Sequence, residues 1–153
     1  MEGITFVAKV VLLSALFAGV LDLTATGLLM RSQGIPLQRL LQFIASGAIG
    51  PSASEGGRKT ARLGLFLHFL IAFLWASAYF ATQRSLPTLH TDPLLAGAIF
   101  GAIVHLIMSL IVLPLSRAPK RPFSPRAFIV QLLIHIVCVG TPIALTQTYF
   151  LQR

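Results

Sequence analysis

Four long apolar runs constrain this chain more than any other feature of its sequence. They cover roughly residues 4–30, 63–81, 94–115 and 127–151. A helix needs about 20 apolar residues to cross a hydrocarbon core about 30 Å thick, and each run has about that length. None shows the alternation of a membrane β-barrel strand. The connections between them are short, which leaves no room for a soluble catalytic domain. Composition agrees: 56% of the 153 residues are hydrophobic and only 10% charged, with a mean hydropathy of +0.84. A soluble domain of this length carries about 25% charged residues to face water, and a disordered chain is poor in apolar ones. The expected fold class is all-α, a bundle of four transmembrane helices forming a single integral membrane domain over residues 1–153. The first run exceeds the 7–15-residue core of a signal peptide. No Lys or Arg precedes Lys9, so this run is expected to stay as a span.

Twelve Lys and Arg against four Asp and Glu leave a net charge of +8. In a soluble protein that surplus points to nucleic acid; between apolar runs it sets membrane orientation instead. The lipid bilayer is therefore the expected partner, with a homo-oligomer or a membrane partner protein compatible, and no nucleic acid. The first connection carries Arg31, Arg39, Arg58, Lys59 and Arg62, and the third Arg117, Lys120, Arg121 and Arg126. Only Lys9, Arg84 and Arg153 belong to the other side. Nine against three puts connections one and three in the cytoplasm and both termini outside, and it argues against dual insertion. Tyr79 and Tyr149 then fall near the outer interface, where amphipathic rings collect.

The first connection has a pattern of its own. From Pro36 to Ala48, Leu37, Leu40, Leu41, Ile44 and Ala48 share one helical face, and Arg39, Gln42 and Ser46 the other. This spacing predicts a short amphipathic interfacial helix, either a lid beneath the bundle or a surface helix covering its ends. The Ser- and Gly-rich residues 51–59 read as a flexible return. Pro142, after Thr141, predicts a kink in the fourth span.

One or more ionisable residues interrupt each helical stripe: Asp22 in the first span, His68 in the second, His105 in the third and His135 in the fourth. Asp at mid-membrane costs about 2.5–3.5 kcal/mol on insertion scales, so such groups face the protein interior. Counted from Arg31, Arg62, Arg117 and Arg126, the four lie roughly 9 to 18 Å deep at 1.5 Å per residue, compatible with one shared layer. Small residues mark the faces that pack in lipid. Gly97, Gly101, His105 and Ser109 form one stripe, and Gly64, His68, Ala72 and Ala76 another. Ala15, Gly19, Asp22 and Thr26 follow a 4-3-4 spacing, and Gln131 and His135 share a face with Cys138 and Val139. Gly19, Gly64, Gly97 and Gly101 are the expected helix-packing positions.

Several chemistries fit this layer. His68, His105 and His135 with Asp22 are ligand types of a divalent metal site, and two facing histidines are the axial ligands of a b-type haem. An Asp–His chain can pass protons or bind a cation, whereas neutral His and Asp can also clamp helices together by hydrogen bonds. There is no GxGxxG, P-loop, HExxH or Gly-x-Ser-x-Gly motif, and Asp22 and Glu55 lie on different elements. No enzyme and no cofactor are expected. Cys138 is the only cysteine, so no internal disulfide forms. His90 and Asp92, before Pro93, read as turn residues. The leading expectation is a proton, ion or small-solute pathway through the Asp22/His68/His105/His135 layer. A non-catalytic structural or accessory subunit is the alternative, and a haem- or metal-binding redox subunit the third.

From His68 through Ala76, Tyr79 and Pro87, then Gly97, Gly101 and His105 to Pro114-Leu115, the chain resembles the YagU-like bacterial inner-membrane proteins. The resemblance covers about a third of the chain, the second and third spans, with His135 as a further match in the fourth. Here the interval from Pro87 to Gly97 and that from His105 to Pro114 are longer than in that family. The resemblance implies a small polytopic protein of the bacterial inner membrane and implies no activity.

Overall fold

Helix α1 spans Glu2–Ser32 without a proline or a turn signal to interrupt it. It stops at Gly34, whose φ of 77° is the left-handed conformation open to glycine. The Gly34 amide donates to the Arg31 carbonyl and the Ile35 amide to that of Met30, at 3.0 and 2.9 Å, which satisfies the last carbonyls of the helix and reverses the chain. Pro36 then precedes α2, Leu37–Ile49. A single 3-10 turn, Pro51–Ser54, leads to α3, Gly57–Ser85. Asp92 caps α4, Pro93–Leu115, by accepting a hydrogen bond from the Leu95 amide at 3.0 Å. Ser124 caps α5, Pro125–Leu151, in the same way. Each of these caps is followed by proline at the first helical position, where its missing N–H costs nothing. This computed structural model describes residues 2–86, 89, 91–120 and 122–152, and no strand occurs among them. Pro87, His90, Arg121 and Arg153, which figure in the sequence reading, lie outside the described residues.

The fold is an all-α bundle in which α1, α3, α4 and α5 are each long and apolar enough to cross a membrane. No more than 33% of the most apolar 18-residue stretch of any span is buried inside the protein. Leu16, Phe66, Leu74, Leu110 and Val137 point outward. In water this would be an apolar surface far larger than a soluble monomer tolerates; in a bilayer it is the lipid-facing coat. The chain is a small polytopic membrane protein.

Two spans contain a π-helical segment, Met108–Val112 in α4 and His135–Gly140 in α5. Each ends two residues before a proline, Pro114 and Pro142. Proline donates no backbone hydrogen bond, and its ring crowds the carbonyl four residues back. Widening the preceding turn by one residue relieves both effects. At Pro142, where the sequence predicts a kink, the structure has a widened turn just upstream.

The spans meet where side chains are smallest. A methyl group added at Gly97 would lie 2.7 Å from the Thr141 Cα, and one at Gly101 2.7 Å from the Ile136 Cα, so α4 and α5 touch backbone to backbone. At Gly19 it would lie 2.8 Å from the Phe69 ring, where α1 meets α3, and at Gly64 it would run into the Leu41 carbonyl of α2. All four glycines singled out in the sequence therefore sit at helix crossings.

Three expectations need correction. First, α2 is the expected amphipathic helix of the first connection, but part of its polar face is turned into the protein. Gln42 and Ser46 are buried against α3, while Leu37 and Ala48 are exposed. The Gln42 amide donates to the carbonyls of Gly57 and Ser54, at 3.2 and 3.4 Å, so its N–H groups find partners in the neighbouring chain rather than in water. Second, residues 51–59 are not a loose return: Ala53 is fully buried, and the Thr60 hydroxyl donates to its carbonyl at 2.7 Å. α3 starts at Gly57 because Arg58, Lys59 and Arg62 are exposed helix formers that a search for apolar residues passes over. Third, Tyr79 is not an interfacial ring. It is buried and packs edge-on against Phe100 at 4.9 Å, whereas Tyr149 is exposed.

The α4–α5 seam yields a direct test. Gly101→Ala forces a methyl group against main-chain atoms that cannot rotate away, and should cost about 1–3 kcal/mol of stability. Gly3→Ala, with nothing within 4 Å, should stay within about 0.5 kcal/mol of the parent. Reversible unfolding of both variants in detergent, followed by circular dichroism, measures the difference.

Candidate functional site

The small stripe of α1 lets α3 come close enough for a side chain to reach the α1 backbone. His68 Nε2 donates a hydrogen bond to the Gly19 carbonyl at 2.8 Å. A carbonyl can only accept, so Nε2 carries a proton and Nδ1 presents a lone pair when the ring is neutral. Nδ1 faces Asp22 Oδ2 at 4.0 Å. The other carboxylate oxygen, Asp22 Oδ1, is buried and has no hydrogen-bond partner.

A second pair forms on the opposite helices. His135 Nδ1 donates to the Gln131 carbonyl at 2.8 Å, one turn back in its own helix. Its ring lies 5.1 Å, centre to centre, from that of His105. His105 is almost fully buried, with its ring edge-on to Phe128 at 4.6 Å and the Ser109 hydroxyl 3.4 Å from Nε2. The stripe Gly97, Gly101, His105 is what turns this imidazole toward α5.

Between the pairs lies a cavity of about 210 Å³, lined by Asp22, Thr26, His68, Gln131 and His135 among apolar side chains. Leu40, Phe43 and Ile44 of α2 form one end of it; Trp75, Met108 and Val139 contribute to its wall. Gln131 Oε1, like Asp22 Oδ1, is buried without a partner. The four ionisable residues thus form two pairs on one cavity rather than a single constellation, and His105 stands behind His135 without lining it.

This arrangement limits the chemistry. Among the described residues, no three of His, Cys, Asp or Glu come together as a metal-binding group. His105 and His135 touch ring to ring, which leaves no slot for a porphyrin between them in this arrangement. What the site offers is a carboxylate with an open acceptor, next to an imidazole lone pair, inside a largely apolar chamber.

A further polar cluster escaped the sequence reading. The Gln147 amide donates to the Ser14 hydroxyl at 3.0 Å and to the Ala76 carbonyl at 2.8 Å. Its oxygen accepts from Gln83 Nε2 at 3.3 Å. All three side chains are fully buried, so this cluster ties α1, α3 and α5 together inside the bundle. Ser14 lies two helical turns, about 12 Å, from Asp22 on the side away from α2. Ala18, Ala76, Val104, Val139 and Ile143, all buried, fill the space between the two polar levels. The available signal was two glutamines at apolar depth: Gln147 inside the fourth run and Gln83 just past the expected end of the second. A search for charges alone does not register amides.

Compared with protein-family models, curated proteins and solved structures, the chain finds no match.

Gln147 is therefore the residue whose loss should loosen the bundle most. Hydrogen bonds between membrane helices contribute about 0.6 kcal/mol on average and at most about 1.7. Gln147→Leu, which removes three, should destabilise by about 1–2 kcal/mol, and Ser14→Ala by about 0.6. Denaturant titration in mixed detergent micelles measures both.

Proposed function

We propose that this protein provides a pathway for a proton, an ion or a small solute through the cavity bounded by Asp22, His68 and His135. The observation that carries this reading is Asp22 itself: a carboxylate at membrane depth with one oxygen unpartnered, facing a chamber and an imidazole lone pair. An unmet buried acceptor costs about 1–3 kcal/mol, and on an ionisable group facing a chamber that cost is relieved when a proton or a cation arrives. The bundle already has its clamp in Ser14, Gln83 and Gln147, made of groups that never ionise. Asp22 is instead free to take up a proton or a cation, and His68 Nδ1 can relay that proton after a small movement closes the 4.0 Å gap. Intramembrane ionisable groups of this kind mark ion and proton routes.

One observation favours the accessory-subunit reading. The bond from His68 to the Gly19 carbonyl fastens α3 to α1, as a purely structural histidine would. The two readings diverge in proteoliposomes. A pathway predicts a measurable proton or cation flux that Asp22→Asn lowers at least tenfold and His105→Gln, which does not line the cavity, largely preserves. Absence of any flux of protons, Na⁺, K⁺ or small organic solutes, or an unchanged flux in Asp22→Asn, rejects the pathway and leaves the accessory role.

We also propose that the end formed by the first and third connections faces the cytoplasm. In support, the Arg117 amide donates to the Gly47 carbonyl at 3.0 Å, which joins the two cation-rich connections at one end of the bundle. The resemblance of the second and third spans to the YagU-like proteins supports a bacterial inner membrane as the location. Ser54 is exposed in the first connection. Ser54→Cys, made in a Cys138→Ala background, should resist a membrane-impermeant maleimide in intact cells and react once the membrane is opened. Labelling of intact cells would reverse the orientation.

A further inference from the structure

Two unpartnered atoms on residues of the cavity wall share one chemical character. Asp22 Oδ1 and Gln131 Oε1 are both buried acceptors without donors. When the His68 ring is neutral its Nδ1 is a further acceptor, because the one ring proton is committed to Gly19. Among the described residues no Lys or Arg lines the chamber. An anion would therefore meet a carboxylate with no Lys or Arg to offset it, and a neutral solute would bring that carboxylate no charge to pair with in largely apolar surroundings. A bare metal ion fares no better, since a hard cation needs about six oxygen ligands and these walls supply two unpartnered ones. What fits is a cation that brings its own N–H donors and an apolar body.

We propose that the cavity binds a small organic ammonium ion, with Asp22 as its counter-ion and Trp75, Val104 and Met108 around its hydrocarbon part. It rests on the reading above in taking this chamber as the place a solute occupies, and it names the class of that solute. Size supports it: a cavity of about 150 Å³ accepts benzene, so about 210 Å³ holds a ring bearing one aminomethyl group. The indole of Trp75 adds a face that attracts cations. The N–H groups of the ammonium would go to the Asp22 carboxylate and, after a small side-chain rotation, to the Gln131 amide oxygen.

Trp75 is the only tryptophan in the chain, so its fluorescence reports on this chamber alone. Benzylammonium is added to the full chain in detergent, beside its neutral and anionic counterparts, benzyl alcohol and benzoate. A saturable change in emission with benzylammonium, which the other two neither reproduce nor displace, is the expected result. Asp22→Asn should weaken that binding at least tenfold. Equal binding of benzoate or benzyl alcohol, no saturable signal, or an unaltered affinity in Asp22→Asn would overturn the proposal. If that variant does not fold, the three-ligand comparison on the parent chain decides alone. Proton flux without benzylammonium binding removes the ammonium and leaves the pathway; benzylammonium binding without any flux keeps the ammonium site and removes the pathway.

Discussion

Hydrocarbon gives a backbone amide nothing to bond to, and this single constraint shapes the molecule. It makes each long apolar run a continuous helix, with its N–H and C=O groups paired internally. It also explains the two places where helical geometry changes. Pro114 and Pro142 remove donors, and α4 and α5 respond by widening the turn before each proline rather than by breaking. One of those widened segments, His135–Gly140, starts at a histidine of the site and ends at a glycine of a close helix crossing. Secondary structure, packing and chemistry meet there.

Inside lipid the apolar surface of a helix gains little by meeting another helix, so association relies on close packing and on polar contacts. The glycines at 19, 64, 97, 101 and 140 provide the first. The glutamines at 83 and 147, with Ser14, provide the second. Between them the two devices hold the bundle without drawing on Asp22, which leaves its carboxylate available for chemistry. α2 completes the enclosure: it folds back beneath the spans, bonds the Gln42 N–H group to the Gly57 carbonyl, and puts Leu40, Phe43 and Ile44 under the cavity.

Legibility in the sequence followed the kind of signal each feature carries. Helix class and span number come from apolar length, and the packed face of each helix from a period of small residues; the positions of Gly19, Gly64, Gly97 and Gly101 at crossings show how far that signal reaches. The interior partners of His68 and His105 were less visible. Periodicity says which way a side chain points on its own helix, and it is silent about what stands opposite on another. Depth counted from flanking arginines has an uncertainty of a few residues, or about 3–6 Å, the same size as the differences that separate one polar layer from two pairs.

The sequence by itself determined an all-helical membrane protein with four spans, small-residue seams and one ionisable side chain on the interior of each span. These follow from local length, period and charge, which a chain carries whatever its neighbours do. Only the tertiary structure decided that Asp22 meets His68 while His105 rests against His135, that Gln83 and Gln147 form the clamp, and that Tyr79, Gln42 and Ser46 are buried. Each of these depends on the rotation and relative depth of two helices remote in sequence. Those quantities are set by how side chains interlock across a crossing, and no single segment encodes them.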